Sequence, residues 1–495
     1  MNKSKFMKNV VFGFGGQCII IILGIIIPRI MITSYGSDVN GLVSTVTQIF
    51  TYMALLEAGV GQAARNALYK PITENDREGI SYIVSVAQGY FRKITLCYGV
   101  VVVLLSFIVP QIIKSNVSWF TIFLVVFFEG MSGVVTFYFI ETQTIVLTAE
   151  GKGYINNGVN VVNKTLSYIV KIIMAMLGIN IAVLQFAFFL ITIVKVFFYK
   201  YYFKKNYSWI DYKAAPKSAK LADRNSYILT EVAWTLFSST DMIVLSTFVS
   251  TKMSSVYAVY NMVFSNLNVL LNAVYTSISY MLGQAYYENK ERYIKIHDAF
   301  TSVFLGAMTV LMCIAYILII PFVRLYTKGV TDVEYIYTSL PIMFALVQIL
   351  SWSRYVSGNL TGLAGYAKQV SKISLIEAII NVILSIALVQ RFGIVGVLFA
   401  TVAALPIKVI FCSYLTDKKI LERSPKKTIF ILGANYFMFA VVVILNKYIH
   451  LEINNYLEFL MYGFIVTIIC GGAEVAINLA ANPECLKLIK NYLRK

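Results

Sequence analysis

Apolar segments long enough to cross a bilayer as helices recur along the whole chain. Short polar connections separate them, and the longest, 201–224, is too short to hold a folded domain. The pattern predicts an all-α polytopic membrane protein with about 14 transmembrane helices. The predicted spans are 10–32, 39–62, 94–113, 117–140, 158–177, 180–200, 225–248, 254–282, 300–321, 335–360, 373–390, 393–415, 428–445 and 456–479.

One predicted span, 158–177, carries a stripe of polar residues. They recur at spacings of three and four residues, which places them on one side of a helix. A lysine at the centre of a spanning helix costs roughly 2.5–3.5 kcal/mol, so we expect this side to face a polar or water-filled interior. Lys164 is nearer the membrane edge than Lys171, and for Lys164 a side chain that snorkels to water is an equally good interpretation. The stripe consists of Asn157, Asn160, Lys164, Ser167 and Lys171.

Composition supports a membrane protein and explains its net charge. Hydrophobic residues make up 58% of the chain and charged residues 13%, whereas a soluble protein has about 25% charged residues. The net charge of +18 by itself suggests nucleic-acid binding. With a cytoplasmic N-terminus, however, 30 Lys and Arg fall in cytoplasmic segments and 6 in outer ones, as the positive-inside rule requires. We therefore predict a cell-membrane protein with both termini cytoplasmic and no nucleic-acid partner.

Neither a metal nor another cofactor is predicted. The 6 cysteines and 2 histidines show no disulfide framework and no spacing typical of metal ligands. The Lys-rich start leads into an apolar run that continues past Ile27 without a small-residue cleavage site. It is interpreted as the first span rather than a cleaved signal peptide.

The chain also repeats itself at a nearly constant offset. The matching pairs keep the same order: Glu74-Asn75 with Glu288-Asn289, Leu147-Thr148 with Leu360-Thr361, Lys195-Val196 with Lys408-Val409, and Lys204-Lys205 with Lys418-Lys419. We infer two copies of a six-span unit, related by a pseudo-twofold axis along the membrane normal. The predicted domains are 1–224, the first lobe with its cytoplasmic linker; 225–427, the second lobe; and 428–495, two extra helices with a basic tail.

Three loose motifs stand at the ends of predicted spans. They are Ile27-Pro28-Arg29 with Tyr35-Gly36-Ser37-Asp38-Val39-Asn40-Gly41, Leu56-Glu57-Ala58-Gly59-Val60-Gly61, and Gln143 to Gly153, which contains Thr148-Ala149-Glu150-Gly151-Lys152. With these motifs and its span pattern, the whole chain resembles the polysaccharide flippases of the multidrug/oligosaccharidyl-lipid/polysaccharide exporter superfamily. The resemblance implies two six-helix lobes and movement of a lipid-diphosphate-linked oligosaccharide to the outer leaflet. The acidic cation-coupling cluster typical of the drug-exporting branch is not found in the sequence, which favours the sugar-lipid branch.

Cations inside the predicted spans are candidates for binding the diphosphate. Arg29 follows a proline that can kink its helix, and a guanidinium pairs with phosphate through two hydrogen bonds. The alternative for Arg29 is snorkelling to the outer surface, and for Arg354 cavity lining and snorkelling fit equally well. For Lys195 and Lys408, at matching places near the inner ends of their spans, we expect snorkelling. The candidate cations are Arg29, Lys164, Lys171 and Arg354.

Acidic residues inside the spans are candidates for charge pairing or ion coupling. Glu129, near the middle of its span, is expected either to pair with a base such as Lys171 or to carry a proton. The repeat offset places Asp241 opposite Arg29, within a residue or two, and suggests an ion pair between the lobes. The candidate acids are Glu57, Glu129, Asp241 and Glu377.

A second polar stripe, on the span 254–282, is a candidate surface for sugars. Its amides are Asn261, Asn268 and Asn272, and amides hydrogen-bond well to sugar hydroxyls. The alternative is hydrogen bonding between helices, which polar residues also provide in membranes. The other members of the stripe are Tyr257, Ser265, Tyr275 and Ser279.

The sequence predicts a transporter rather than an enzyme. It contains neither a phosphate-binding loop nor a nucleophile-elbow motif. The predicted function is a flippase that moves a polyprenyl-diphosphate-linked oligosaccharide outward by alternating access. Its predicted partners are that substrate, membrane lipids and other polysaccharide-assembly proteins. The alternatives are an ion-coupled multidrug exporter of the same fold and, less well supported, a polysaccharide polymerase or ligase, which usually has a large outer loop.

The predicted topology can be tested by labelling single cysteines in intact cells. We expect an impermeant thiol reagent to reach cysteines at Ser37, Lys328 and Asn454, because these positions fall in outer segments. Cysteines at Lys217 and Lys426 should stay unlabelled until the membrane is opened. Labelling at Lys217 in intact cells would show that this layout is wrong.

Overall fold

The described residues of the computed structural model are 15–53, 55–214, 235, 239–288, 290–449 and 451–482. They form helices joined by short turns, which confirms the all-α prediction. Among them, nine helices are long and apolar enough to cross a membrane. Two of the nine, Ile19–Tyr52 and Lys368–Ile420, each correspond to two predicted spans because the helix continues through a glycine kink.

The chain forms two compact units, Met1–Ser255 and Val256–Lys495. The border predicted at 224–225 lies outside the described residues. In unit 1 the helices are α1 (Gly16–Met53), α2 (Leu55–Glu74), α3 (Arg77–Ile112), α4 (Trp119–Phe139), α5 (Glu141–Ala149), α6 (Gly153–Met176) and α7 (Ile181–Asn206), followed by a helical stretch at 239–248. The next helix, α8 (Thr251–Glu288), begins in unit 1 and continues into unit 2.

Unit 2 continues with six further α-helices and one π-helical turn. These are α9 (Lys290–Tyr326), α10 (Leu340–Ser353), α11 (Tyr355–Leu363), α12 (Ala367–Tyr414), the π-helix Leu415–Ile420, α13 (Lys426–Asn446) and α14 (Tyr456–Ala481). Several helices begin where a polar side chain accepts a hydrogen bond from the first turn, which satisfies an otherwise unpaired backbone N–H. The capping residues include Asp76, Ser118, Asn180 and Asn455.

Each unit has, among its described residues, an apolar helix that is broken near its predicted inner end. In unit 1, α4 ends at Phe139 and α5 adds 9 residues beyond Ile140. In unit 2, α10 ends at Ser353 and α11 adds 9 residues beyond Arg354. The same break therefore occurs at corresponding places in both units, which supports the repeat. The pseudo-twofold relation of the lobes stays a prediction.

The first flippase-like motif forms a joint on the predicted outer side of unit 1. Gly36 has a φ of 83°, which favours glycine, and it kinks α1. Asp38 then accepts hydrogen bonds from the Ser115 hydroxyl at 2.9 Å, the Asn116 N–H at 2.7 Å and the Thr251 hydroxyl. Asn40 donates to Ser255 at 2.8 Å. These bonds tie α1 to the start of α8.

Ser37, in the same motif, is fully buried. A cysteine there is therefore a poor reporter of topology, although it was predicted to be labelled. Lys328 and Asn454 are exposed and serve that purpose.

The third motif forms a clamp at the predicted cytoplasmic end of unit 1. Lys152 pairs with Glu150 at 2.6 Å and donates to the Tyr207 hydroxyl at 2.8 Å. Tyr207 in turn donates to Glu150 at 2.6 Å. Burial and this hydrogen bond raise the pKa of Tyr207, so it remains a donor at neutral pH. The clamp ties the turn after α5 to the end of α7.

A stronger clamp closes the corresponding end of unit 2. Arg423 donates two hydrogen bonds of 2.8 Å to Asp298 and one of 2.8 Å to Asp417. Lys427 also pairs with Asp298, at 3.0 Å. A guanidinium that engages two carboxylates in this way is held rigidly. The cluster joins the start of α9, the π-helix and the start of α13.

The outer joint can be tested at two glycines of α1. A Cβ at Gly41 would lie 1.7 Å from the Thr251 carbonyl oxygen, whereas a Cβ at Gly24 would meet nothing within 4 Å. We expect Gly41→Ala to lower the free energy of unfolding by about 1–3 kcal/mol or to prevent folding. Gly24→Ala should be neutral or stabilising by up to about 1 kcal/mol. Thermal unfolding in detergent measures both, and equal melting temperatures for the two variants would contradict this account of the joint.

Candidate functional site

Glu129 is the centre of a polar site inside unit 1. It lies on α4 and accepts hydrogen bonds from Thr47 on α1 at 3.4 Å and from the Gln185 amide on α7. Gln185 is only 1% exposed. Lys171 on α6 attracts Glu129 electrostatically. A single carboxylate thus connects four helices of the unit.

Lys171 is held between this carboxylate and an aromatic ring. Its Nζ lies 4.6 Å from the centre of the Phe188 ring, within the range of a cation–π interaction. The side chain is half-buried. The structure therefore brings together two predicted residues, Lys171 and Glu129, and it supplies an acid that stabilises a lysine at membrane depth.

The other residues of the polar stripe on α6 differ in exposure more than the sequence suggests. Ser167 is buried and donates to the Asn163 carbonyl oxygen at 2.8 Å. Asn160 accepts a hydrogen bond of 2.8 Å from Lys195. Only Asn157, Asn160 and Lys164 are exposed. The stripe therefore offers open positions towards its predicted cytoplasmic half and a closed, paired site around Lys171.

Three charges of unit 1 form a group that we call triad 1: Glu141, Lys164 and Lys195. Glu141 attracts Lys195, while Lys164 repels it. Lys195 also donates its hydrogen bond to Asn160, a residue of α6. Lys195, which was expected to snorkel, is half-buried and has this carboxylate and this amide as partners.

Three charges of unit 2 form triad 2: Arg354, Glu377 and Lys408. One guanidinium nitrogen of Arg354 donates to both carboxylate oxygens of Glu377 at 2.7 Å. Arg354 is 4% exposed and Glu377 2% exposed. Lys408 is half-buried and interacts electrostatically with both. Arg354 does not snorkel, since its guanidinium is buried and binds this carboxylate.

The two triads occupy equivalent places in the repeat. The offset along the chain is the same for all three pairs of counterparts, which are Glu141 and Arg354, Lys164 and Glu377, and Lys195 and Lys408. Counting α12 through the π-helix to Ile420, each charge lies 8 to 12 residues from the predicted cytoplasmic end of its helical segment, or about 12–18 Å at 1.5 Å per residue. The signs at the first two positions are exchanged, yet each triad contains one acid and two cations. Each therefore carries one surplus positive charge.

The site around Glu129 has no such counterpart. At the offset that separates Lys195 from Lys408, the positions equivalent to Glu129 and Lys171 are Ile342 and Leu384. The triads therefore belong to the repeated scaffold, whereas the Glu129–Lys171 pair is specific to unit 1.

The residues of the polar stripe on α8 fall into two groups in the structure. Asn268 accepts a hydrogen bond of 2.8 Å from the Trp352 indole, and Tyr275 donates to the Tyr355 carbonyl oxygen at 3.1 Å. These residues serve helix packing, as the alternative interpretation of the stripe predicted. Asn261 is half-buried and Asn272 is exposed, so these two remain candidates for sugar contacts.

For the remaining predicted residues we describe only the position and the burial. Arg29 is half-buried on α1, and Asp241 is buried close to Tyr52. Their proposed ion pair stays a prediction. Glu57 lies on α2, and its side chain is outside the described part of the structure.

Comparison with solved structures gives the fold a name. The chain superposes on the lipid II flippase MurJ in an inward closed conformation with a TM-score of 0.71, at 14% identity, covering 95% of this chain and 99% of that one. An inward-facing multidrug resistance MATE family transporter of the MOP superfamily gives a TM-score of 0.66 at 14% identity, with 85% and 95% covered. This chain has the fold of the MOP superfamily transporters.

A third transporter with this fold differs in its pocket. It is a MOP superfamily transporter from Pyrococcus furiosus, described as having a binding pocket of reverse polarity, with a TM-score of 0.59, 14% identity, and 85% of this chain and 96% of that one covered. No protein-family model and no curated protein sequence matches the chain. At these identities the MOP fold is shared, and the chemistry must be argued from residues.

Sequence reasoning on this MOP-fold chain missed two residues of the site, Glu141 and Gln185. Gln185 offered no pattern, since it is one amide in an apolar span. Glu141 did carry a signal, because the repeat offset pairs it with Arg354. A search of the repeat for paired charges rather than for matching residues would have found it.

Exchanging the charges of triad 2 tests its pairing. Arg354→Glu or Glu377→Lys alone leaves like charges buried together, which we expect to cost about 3–5 kcal/mol and to reduce the yield of folded protein. The double variant Arg354→Glu/Glu377→Lys reproduces the signs of triad 1 and should recover much of that loss. Arg391→Glu, at an exposed arginine, is the control and should fold normally. A double variant no more stable than the worse single one would contradict the pairing.

Proposed function

We propose that this protein is a flippase that carries a polyprenyl-diphosphate-linked oligosaccharide from the inner to the outer leaflet. The observation that carries the proposal is the surplus cation in each triad. Charge at membrane depth is costly unless it is paired. A diphosphate is the anionic part of such a substrate, and it would balance the second cation of each triad, which contains only one acid.

We infer different roles for the two triads from the exposure of their side chains. Lys164 is exposed and Lys195 is half-buried, so triad 1 can offer cations to a phosphate directly. In triad 2 the buried Arg354 and Glu377 bind each other, and Lys408 supplies the surplus charge. We assign Lys164, Lys195 and Lys408 to the diphosphate, and Arg354 to holding Lys408 and Glu377 in place.

We assign to Lys171 a contact with the diphosphate that forms only when the substrate arrives and competes with Glu129. At rest it is neutralised by Glu129 and covered by Phe188. An arriving diphosphate competes with Glu129 for the ammonium group, and the competition is possible because the amide of Gln185 and the hydroxyl of Thr47 still stabilise the carboxylate. Asn261 and Asn272 would meet the sugars, and the lipid tail would stay in the bilayer.

The structural likeness supports this proposal at the level of the fold. The solved flippase is named for lipid II, and its fold covers 95% of this chain. The alternative, a multidrug exporter of the same fold, is supported by the likeness to the MATE transporter. Two cations for every acid in both triads favour an anionic substrate over cationic drugs. The cytoplasmic termini, the cell-membrane location and the lobes at 1–224 and 225–427 complete the proposal.

The role of Lys171 is tested by one single and one double variant. We expect Lys171→Ala to lose export, with a drop of about ten- to a hundredfold in affinity, since a charge-assisted contact contributes about 1.5–3 kcal/mol. Glu129→Gln/Lys171→Ala removes the unpaired acid and should fold well but still fail to export. Lys171→Arg should retain more activity because it keeps the charge. The measurement is accumulation of lipid-linked oligosaccharide on the inner leaflet, at matched protein levels.

Controls separate this proposal from its alternatives. Lys200→Ala, at an exposed lysine on α7, should export normally. If the double variant exports normally, Lys171 only neutralises Glu129, and the diphosphate contact is refuted. If the wild-type protein raises resistance to cationic drugs and leaves lipid-linked oligosaccharide unmoved, the multidrug alternative replaces the flippase.

A further inference from the structure

A carboxyl group that is not among the residues assigned to the substrate is buried between α9 and α14. Glu474 on α14 is 3% exposed. It packs where α9 has Gly306, and a Cβ at Gly306 would lie 2.5 Å from the Asn478 amide nitrogen and 3.2 Å from the Glu474 Oε1. The missing side chain at position 306 therefore provides the space that these two polar groups occupy.

The hydrogen bonds of this pair are incomplete in a specific way. Asn478, one turn after Glu474, donates its amide N–H to the Glu474 Oε1. Among the described residues, the Glu474 Oε2 and the Asn478 Oδ1 have no hydrogen-bond partner, although both atoms are buried. Two buried acceptors side by side without a donor are costly, because each has lost its water.

No cation in the described part of the chain faces this carboxyl group. The titratable groups that interact with it are the thiols of Cys313 on α9 and Cys470 on α14, both buried. On α13, Asn435 accepts through its Oδ1 a hydrogen bond of 3.0 Å from Thr309, which lies one turn after Gly306 on α9. Glu474 thus differs from Glu129, Glu141 and Glu377, each of which has a basic partner.

We propose that Glu474 is a proton-binding site, completed by Asn478 as an acid–amide pair. A proton on Oε2 forms an O–H bond that donates to the Asn478 Oδ1, while the Asn478 N–H donates to Oε1. One proton therefore satisfies both buried acceptors and removes the buried charge. The spacing of four residues on one helix places the two side chains on the same face, where this ring of two hydrogen bonds can close.

Loss of the proton has a mechanical consequence. The proton leaves to water, and the carboxylate that remains is a buried charge without a cation. It is tolerated only if the contact between α9 and α14 opens to admit water. Proton occupancy at Glu474 is therefore linked to the packing of α14 on α9, and, resting on the proposed function, to the pH dependence of export.

Infrared difference spectroscopy of the full chain in lipid nanodiscs tests the site without a transport assay. At neutral pH the wild-type protein should show the C=O absorption of a protonated carboxyl group, and Glu474→Gln should lose that contribution. Asn478→Leu should shift it to higher frequency because the acceptor of the O–H is gone. Glu452→Gln, at an exposed acid before α14, should leave the band unchanged.

Three results overturn the proposal. Identical bands in the wild type and Glu474→Gln would show that Glu474 is ionised at neutral pH. An unchanged frequency in Asn478→Leu would refute the acid–amide pair. Loss of the band on adding sodium chloride at constant ionic strength and pH would show a cation site instead. A protein that shows the band as expected but moves no lipid-linked oligosaccharide contradicts only the proposed function.

Discussion

The cost of an unpaired charge in a medium of low dielectric constant governs this structure more than any other constraint. Arg354 and Glu377 are almost fully buried, and each is tolerable only because the other is present. The same requirement positions Lys171 beside Glu129 and Lys195 beside Glu141. Helices that carry these charges can pack only in arrangements that bring the partners together, so the pairs specify how the helices of each unit are rotated.

The repeat and its exceptions have different meanings. Both triads lie at corresponding places and depths, beside a helix break that also recurs, so they belong to the scaffold that both units share. Each triad keeps one acid and two cations, although the acid occupies a different position in each. The Glu129 site is absent from the corresponding positions of unit 2, and Glu474 lies on a helix outside the repeat. These two sites therefore distinguish the units from each other, whereas the triads make them alike.

The motifs behind the family resemblance prove to be structural in two cases. Asp38 and Gly41 join α1 to the start of α8, and Glu150 and Lys152 clamp the end of α7. They act at the two ends of unit 1 rather than at membrane depth. This explains why they support the fold better than the substrate: a joint can stay the same while the polar residues between the joints change.

The hydrophobic pattern alone determined that the chain is helical and where several of its helices end. For example, the span predicted at 158–177 is α6, Gly153–Met176, and the one predicted at 456–479 is α14, Tyr456–Ala481. Lipid makes this signal strong, because every spanning residue must satisfy its backbone within a helix. Matched residues along the chain also predict the repeat.

Only the tertiary structure decided which charges meet. The sequence suggested that Lys195 and Lys408 snorkel, and it gave no reason to single out Glu141 or Gln185. Their pairing depends on the rotation of one helix against another and on breaks such as the one at Ile140. The rotation of the helices and the positions of the breaks arise from packing among distant segments. The periodicity along a single helix does not encode that packing.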